Sequence, residues 1–458
     1  MNAVININEK LNAFAWGPVM LVLFVGTGVF LSFRTGFVQF TRFRYMMRNT
    51  AGALFRDKNS ADGKNLTPFQ AMTTALAGTV GTGNISGVTG AIFTGGPGAV
   101  FWMWVSAFFG MCTKYAEIAL AVKYRRVDGE GRNLGGPMYY IESGLGKEWR
   151  WLALIFSLFG GLASFGIGNM AQSSEIAGAM TELFNTDKHV TGLCLALLVG
   201  FVVIGGVKRI GSFTAFLVPF MSLFFMLAGL YIIIVRFADI PAMLRLIIKS
   251  AFSFRSVGGG LFGYAIMRSV RQGVACGVFS NEAGLGSAPI VHAASSTDEP
   301  CEQAMWGVFE VFMDTIVICS ITAITVLLSG ILDTPGGLNA FPSRGAAAAA
   351  AFNAIIHRSF GGTIIQISII FFAVSSIISW CYYGERCWAY LAHENKAAIL
   401  VYKLFFVFAC FAGATGSGTL VWDISDTLNG FMAIPNLIAL LLMSGTVARL
   451  TKEYFHKL

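Results

Sequence analysis

Charge is what this 458-residue chain has least of. Asp, Glu, Lys and Arg together make 12% of it, well below the roughly 25% of a soluble domain. Histidine (5 residues) and proline (11 residues) are sparse too. The eight cysteines show no CxxC or metal-ligand spacing, and Cys112, Cys194, Cys276, Cys319 and Cys410 fall inside apolar stretches. A free thiol there is a small buried hydrophobe, so neither a disulfide framework nor a metal site is expected. No GxSxG, HExxH or Walker sequence occurs, which leaves no basis for covalent catalysis. Gly81, Gly83 and Gly87 form GxGxxxG with no strand before it and an apolar span around it, so dinucleotide binding is excluded. The chain does not read as an enzyme and calls for no cofactor.

What it has in abundance is apolar length. Hydrophobic residues make 55% of the chain and the mean hydropathy is +0.67. Stretches of about 20 apolar residues suffice to cross a bilayer. Eleven such stretches lie near 14–33, 66–91, 98–122, 151–178, 190–206, 212–236, 272–295, 304–331, 362–383, 397–414 and 431–449. The expectation is an all-α polytopic membrane protein with about eleven transmembrane helices. The first span, led by MNAVININEKLNAFAWG without a small-residue cleavage site, is expected to stay as an anchor.

The net charge of +8 is informative through its placement. The loop after span 1 carries Arg34, Arg42, Arg44, Arg48, Arg56, Lys58 and Lys64, and the loop after span 3 carries Lys123, Arg125, Arg126, Arg132, Lys147 and Arg150. The turn between spans 2 and 3 carries none. The positive-inside rule then places the basic loops and the C-terminal Arg449, Lys452 and Lys457 in the cytoplasm and the N-terminus outside. Arg245, Lys249, Arg255, Arg268 and Arg271 fall on the external side. There, IPAMLRLIIKSAF and LFGYAIMRSVRQG are expected to form interfacial helices with snorkelling cations. The Ala-rich PSRGAAAAAAFNAIIHRSF reads as an external helical cap.

Two spans contain glycine-rich polar interruptions, TVGTGNISG at Thr79 to Gly87 and SNEAGLGSAP at Ser280 to Pro289. Backbone leaves helical geometry at membrane depth only where it faces a cavity, a ligand or other protein. Paired interruptions in two halves of a chain are the strongest sequence pointer to a transport site. With span 1 peripheral, spans 2 to 6 and 7 to 11 form two five-helix units, each opening on a broken helix. An odd unit inverts in the membrane. The expected organisation is residues 1–64 as peripheral helix and basic loop, 65–237 as the first repeat, 238–271 as an external segment, 272–450 as the second repeat, and 451–458 as a cytoplasmic tail. In the first break, Thr79, Thr82 and Asn84 add side-chain oxygens to the carbonyls freed by Gly81 and Gly83, a hard-ligand set suited to Na⁺. The half-helix N-termini can hold a carboxylate. An amino acid meets both demands; a GxxxG-type packing motif through Gly83 and Gly87 is the structural alternative.

A family resemblance then becomes specific. GGPGAVFWMWVSAFFG (Gly95 to Gly110) resembles the signature of the alanine or glycine:cation symporter family. TVGTGNISG, KYAEIALAVKYR (Lys114 to Arg125), GGPMYYI (Gly135 to Ile141) and SNEAGLGSAPI (Ser280 to Ile290) resemble it in order along nearly the whole chain. The resemblance implies a LeuT-like five-plus-five inverted repeat with one extra N-terminal helix, sited in a bacterial inner membrane. It also implies uptake of small neutral amino acids, alanine or glycine, driven by Na⁺ through alternating access. Serine or glutamine as substrate, or H⁺ as coupling ion, is the alternative.

Candidate site residues follow. Thr82, Gly83 and Asn84 are expected at the substrate, Thr79 and Thr82 at Na⁺. In span 4, Asn169, Gln172 and Glu175 follow at i, i+3 and i+6, roughly on one face, and Asn169 and Gln172 are candidates for the substrate's charged ends. By the resemblance, Ser375 and Ser376 in span 9 complete the Na⁺ site, and Trp380 forms a wall or gate. Asn281 of the second break joins the substrate set. Glu282 is costly at this depth and is expected to pair with Arg268 or Arg271 or to meet an ion or ammonium. Lys114 and Glu117 read as an i, i+3 ion pair. Glu310 and Asp314, carboxylates at i, i+4 without a cation near in sequence, call for a proton, a cation or a distant arginine. A channel would be shorter and ring-forming, and a membrane sensor would carry a soluble domain. One chain with two broken helices supplies a complete site as a monomer.

Overall fold

The computed structural model describes residues 2–52, 64–252, 259–356, 360–416 and 419–457. Arg56, Lys58, Arg255 and the His357 to Ser359 part of the Ala-rich segment lie outside the described residues. Apart from a hairpin pairing Arg126–Val127 with Asn133–Leu134, a bridge between Leu66 and Ser295 and the connecting turns, the described chain is helical, as backbone that must satisfy itself in hydrocarbon requires. Among the described residues, eight helical stretches are long and apolar enough to cross a membrane, and Lys188–Ile204 is a shorter apolar helix. The protein is a multi-pass membrane protein.

Helix α1 (Asn2–Ala15) precedes α2 (Pro18–Arg34), which starts on a proline, a residue whose missing N–H costs nothing in a first turn. Short α3 (Val38–Thr41) and α4 (Phe43–Asn49) follow. Then comes the first interrupted helix, α5 (Pro68–Thr79) and α6 (Ser86–Gly95). Its start is fixed by a Thr67–Gln70 capping box. Next are α7 (Gly98–Lys123), the one-turn α8 (Pro137–Tyr140), and α9 (Arg150–Phe165) joined to α10 (Ala171–Phe184) by a π-turn at Gly166–Met170. Helices α11 (Lys188–Ile204) and α12 (Gly206–Val235) close the first half.

The second half contains α13 (Ile240–Ala251), α14 (Gly259–Asn281) and, past the second interruption, α15 (Ala288–His292). Helices α16 (Pro300–Val311) and α17 (Ser320–Leu328) are joined by a π-turn at Phe312–Cys319. Then follow α18 (Arg344–Ile355), α19 (Phe360–Leu391), α20 (Lys396–Thr415), α21 (Thr419–Leu442) and α22 (Ser444–His456). One expectation changes here. IPAMLRLIIKSAF forms the separate α13, but LFGYAIMRSVRQG is the first part of α14 and runs on unbroken to Asn281.

Helices α7 and α19 make the interior. Helix α7 packs on α2, α14 and α16, and α19 on α5, α9, α10 and α18. By contrast α12 and α20 turn Phe216, Leu223, Phe405 and Phe408 outward, apolar faces that suit contact with lipid. The first break therefore lies beside α19 and the second beside α7, each held by a buried helix.

Candidate functional site

Helix α5 ends at Thr79, Gly81 is extended, and residues Thr82–Asn84 make a single 3₁₀ turn before α6 begins. Side chains from distant elements hold this shape. Asn84 Oδ1 accepts from the Gly81 N–H at 2.9 Å, and its Nδ2 donates to Asp314 Oδ1 at 2.6 Å. Thr322 Oγ1 donates to the Asn84 carbonyl at 2.8 Å. Ser280 Oγ (2.9 Å) and Thr315 Oγ1 (2.7 Å) donate to Asp314 Oδ2. A buried unpaired amide or carboxylate is expensive. These mutual bonds are what let the chain leave the helix here.

On the α19 side, Ser376 Oγ donates to the Ala77 carbonyl at 3.1 Å, while Ser375 Oγ lies 3.4 Å from it and 2.8 Å from the Phe372 carbonyl. All four residues are buried. Gly81 lets α19 approach: a Cβ there would stand 2.6 Å from Ser376 Oγ. Thr79, also buried, bonds back to the Leu76 carbonyl at 3.3 Å. Carbonyl and hydroxyl oxygens thus converge where α5 unwinds, an all-oxygen set of the type hard cations take.

On its other side, the break forms the floor of a cavity of about 590 Å³. Thr82, Gly83, Gln172 and Phe279 line its base; Arg271, Arg344, Asp423 and Asp426 line its mouth. Thr82 and Gln172 are buried, whereas Arg271, Arg344 and Asp423 are exposed, so the cavity runs from solvent to the break. The Thr82 N–H donates to Gln172 Oε1 over 3.4 Å, a long bond that a charged acceptor would readily replace. On the wall, Ser86 Oγ donates to Glu175 Oε2 at 3.3 Å. Across the mouth, α1 packs on α21, with Asn12 Nδ2 donating to Asp426 Oδ2 at 2.8 Å and Trp16 Nε1 to the Asp426 carbonyl at 3.3 Å.

The second break is buried. Glu282, Gly284 and Gly286 take positive φ of 55°, 95° and 85°, a conformation glycine adopts freely and glutamate does not. The Gly284 N–H donates to Glu117 Oε1 at 3.0 Å, and Asn436 Nδ2 donates to the same oxygen at 2.5 Å and to the Gly284 carbonyl at 2.9 Å. Tyr140 donates to Asn436 Oδ1, and Ser287 to Glu282 Oε2. Lys114 pairs with Glu310 at 3.3 Å, whose second oxygen lies 3.1 Å from His292 Nε2. Lys114, Glu117, Glu310 and His292 are all fully buried.

Several expectations are corrected by these partners. Lys114 meets Glu310 rather than Glu117, because Glu117 is turned toward the backbone of the second break. Glu282 accepts from Trp380 Nε1 at 3.1 Å and from Ser287, so Arg268 and Arg271 are not its partners. Arg268 is exposed and Arg271 lines the cavity mouth. Glu310 receives its cation from α7, and Asp314 is held by neutral donors.

Of the expected substrate residues, Thr82, Gly83 and Gln172 share the cavity floor. Asn84 bonds within the break. Asn169 donates to the Phe406 carbonyl at 2.7 Å, turned toward α20 because the π-turn at Gly166–Met170 interrupts the regular 100° step between it and Gln172. Asn281 donates to Thr315 Oγ1 at 3.1 Å and caps the Ala283 N–H at 3.0 Å. Trp380 stacks over the close-packed Gly168 and joins the π-turn to the second break. Sequence reasoning missed Asn12, Trp16, Asp423, Asp426, His292 and Asn436. Only the polar Asn436 beside Pro435 in an otherwise apolar span, and the carboxylates Asp423 and Asp426 at i, i+3, carried a signal.

The chain matches the sodium:alanine symporter family over residues 1–458. It is 46% identical over 452 residues to the sodium/alanine symporter AgcS of Methanococcus maripaludis, covering 98% of this chain and 97% of that protein. It is 35% identical over 458 residues to the amino-acid carrier protein AlsT of Bacillus subtilis, covering 99% and 92%. Among solved structures it is similar in fold to a Na⁺-coupled sialic acid symporter in a substrate-bound outward-open state, with TM-score 0.53 at 13% identity, covering 95% of this chain and 86% of that one.

Proposed function

Because the chain belongs to the sodium:alanine symporter family, we propose that it imports small neutral amino acids, alanine and glycine first, together with Na⁺ by alternating access. The observation that carries this reading is the meeting of two sites at one break. The open cavity ends on Thr82, Gly83 and Gln172, while the Ala77 carbonyl and the Ser375 and Ser376 hydroxyls stand behind it.

The substrate carboxylate takes the Thr82 and Gly83 N–H groups at the N-terminal end of the second half-helix, displacing the long bond that Thr82 donates to Gln172. The Gln172 Oε1 so released accepts from the ammonium. Thr79, Thr82, Ser375 and Ser376 turn oxygen lone pairs to Na⁺. Binding of the ion fixes the break in the shape the carboxylate needs, and each ligand raises the affinity of the other by the same factor. Asn84, Asn169, Asn281 and Trp380 act as the frame that keeps those atoms in place.

The finer architecture follows the same reading. The chain crosses the membrane eleven times, with the N-terminus outside. Helices from α5 to α12 and from α14 to α21 form two inverted five-span units, each opening on its break. The cavity then faces outward, and the network around Glu117, Glu282, Lys114, Glu310, His292 and Asn436 is the cytoplasmic seal. Uptake of radiolabelled L-alanine into proteoliposomes tests the function: an inward Na⁺ gradient should drive accumulation and a K⁺ gradient should not. Accumulation under a pH gradient alone would move the coupling to H⁺, and no amino-acid uptake under any gradient would overturn the reading.

A further inference from the structure

At the end of the bundle opposite the substrate cavity, a second cavity of about 770 Å³ opens between the C-terminal end of α2, α3 and α22. Arg34, Arg42, Arg449, Lys452 and His456 line it, and no acidic residue does. Arg34, Arg42, Arg449 and Lys452 are exposed, and none of them makes an ion pair among the described residues. Arg42 is oriented over the Phe455 ring at 4.7 Å, and the Arg34 guanidinium lies beside Gly445 at the start of α22. That helix start has no side-chain cap and no acid in its first turn, so its positive end adds to the field of the cations. Cations crowded this way repel one another unless an anion joins them.

The wall beside the cations is apolar. Val38, Ala448 and Phe455 line the cavity, and Phe33, Phe40 and Leu442 nearby in α2, α3 and α21 are more than half exposed. Aqueous anions need no such flank, whereas a phospholipid brings a charged head and acyl chains to the same place. Basic pockets between spans on the cytoplasmic side are suited to anionic headgroups. We propose that this cavity is a binding site for an anionic phospholipid of the cytoplasmic leaflet, its phosphate held by Arg34, Arg42, Arg449 and Lys452 and its chains against Phe33, Phe40 and Leu442. Such a lipid would tie the first span to the C-terminal helix, two elements that lie outside the transport site.

The test is retention of phosphatidylglycerol by the purified full chain, read by native mass spectrometry and by titration in detergent. The R34Q/R42Q/R449Q/K452Q variant is compared with R44Q/K123Q/K147Q/K208Q, which removes four exposed positive charges outside the cavity. Each cation in contact with the headgroup contributes about fivefold to anionic-lipid attraction. The cavity variant should bind phosphatidylglycerol at least about tenfold more weakly and carry one lipid fewer, while the control variant and phosphatidylcholine binding stay unchanged. Retained alanine uptake in phosphatidylcholine vesicles and an unchanged gel-filtration profile would show that the cavity variant is folded. If it is not folded, R34Q/R449Q replaces it. Equal losses in both variants would overturn the site in favour of diffuse surface charge. Displacement of the lipid by inorganic phosphate at equal concentration would overturn the lipid assignment.

Discussion

At the residue scale, polar side chains in these spans do two jobs that composition does not separate. Thr82 and Gln172 face the cavity, whereas Asn84 is bonded to Gly81 and Asp314. Asn84→Ala would leave the Asp314 carboxylate and the Gly81 N–H short of partners, at a cost of about 1–3 kcal/mol. Its expected signature is a lowered thermal midpoint of the purified protein. Gln172→Ala should instead weaken alanine affinity with the midpoint unchanged, which a melting curve beside a binding titration distinguishes. Gly81→Ala puts a Cβ 2.6 Å from Ser376 Oγ, and transport should fail while the protein still reaches the membrane; normal uptake by that variant would show that α19 does not need this close approach. That these residues are candidates was legible from their polarity within apolar spans. Which way they point was not, because Asn169 and Gln172 share a face on a regular helix and part company only at a π-turn.

At the scale of elements, both interruptions were readable from their glycines, since few other residues allow a chain to unwind there. Their supports were not. Glu117 and Asn436 stand 319 positions apart yet share the Gly284 backbone between them. An i, i+3 rule applied to Lys114 and Glu117 could not see that α16 would offer Glu310 instead. The pairing has a measurable consequence. Lys114→Met strands Glu310 beside His292 without its cation and should cost about 3–5 kcal/mol. Adding Glu310→Gln should recover much of that loss. A double variant no more stable than the single one in thermal unfolding would show that the pair does not act as a unit.

For the whole molecule, apolar length and the placement of lysine and arginine announced a multi-pass membrane protein before any contact was known. The long, lipid-facing α12 and α20 match that expectation. What could not be read was which side of the transport path is open, because that depends on the packing of α1 and α21 around the mouth and on the seal under the second break. An outward-facing cavity exposes Cys276, which lines it. A membrane-impermeant thiol reagent added outside should therefore label Cys276, and Na⁺ with alanine should slow the labelling. Labelling from the cytoplasmic side alone would reverse the orientation.

The central claim is that one break binds both the amino acid and the ion. It is tested most directly by equilibrium binding of radiolabelled L-alanine to the purified protein as a function of Na⁺, in the unaltered chain and in Ser376→Ala. The account predicts that Na⁺ raises alanine affinity by at least about tenfold, worth about 1.4 kcal/mol, and that Ser376→Ala shifts the Na⁺ requirement to higher concentration. Alanine affinity that is the same in Na⁺ and K⁺, or a Na⁺ dependence untouched by Ser376→Ala, would contradict it.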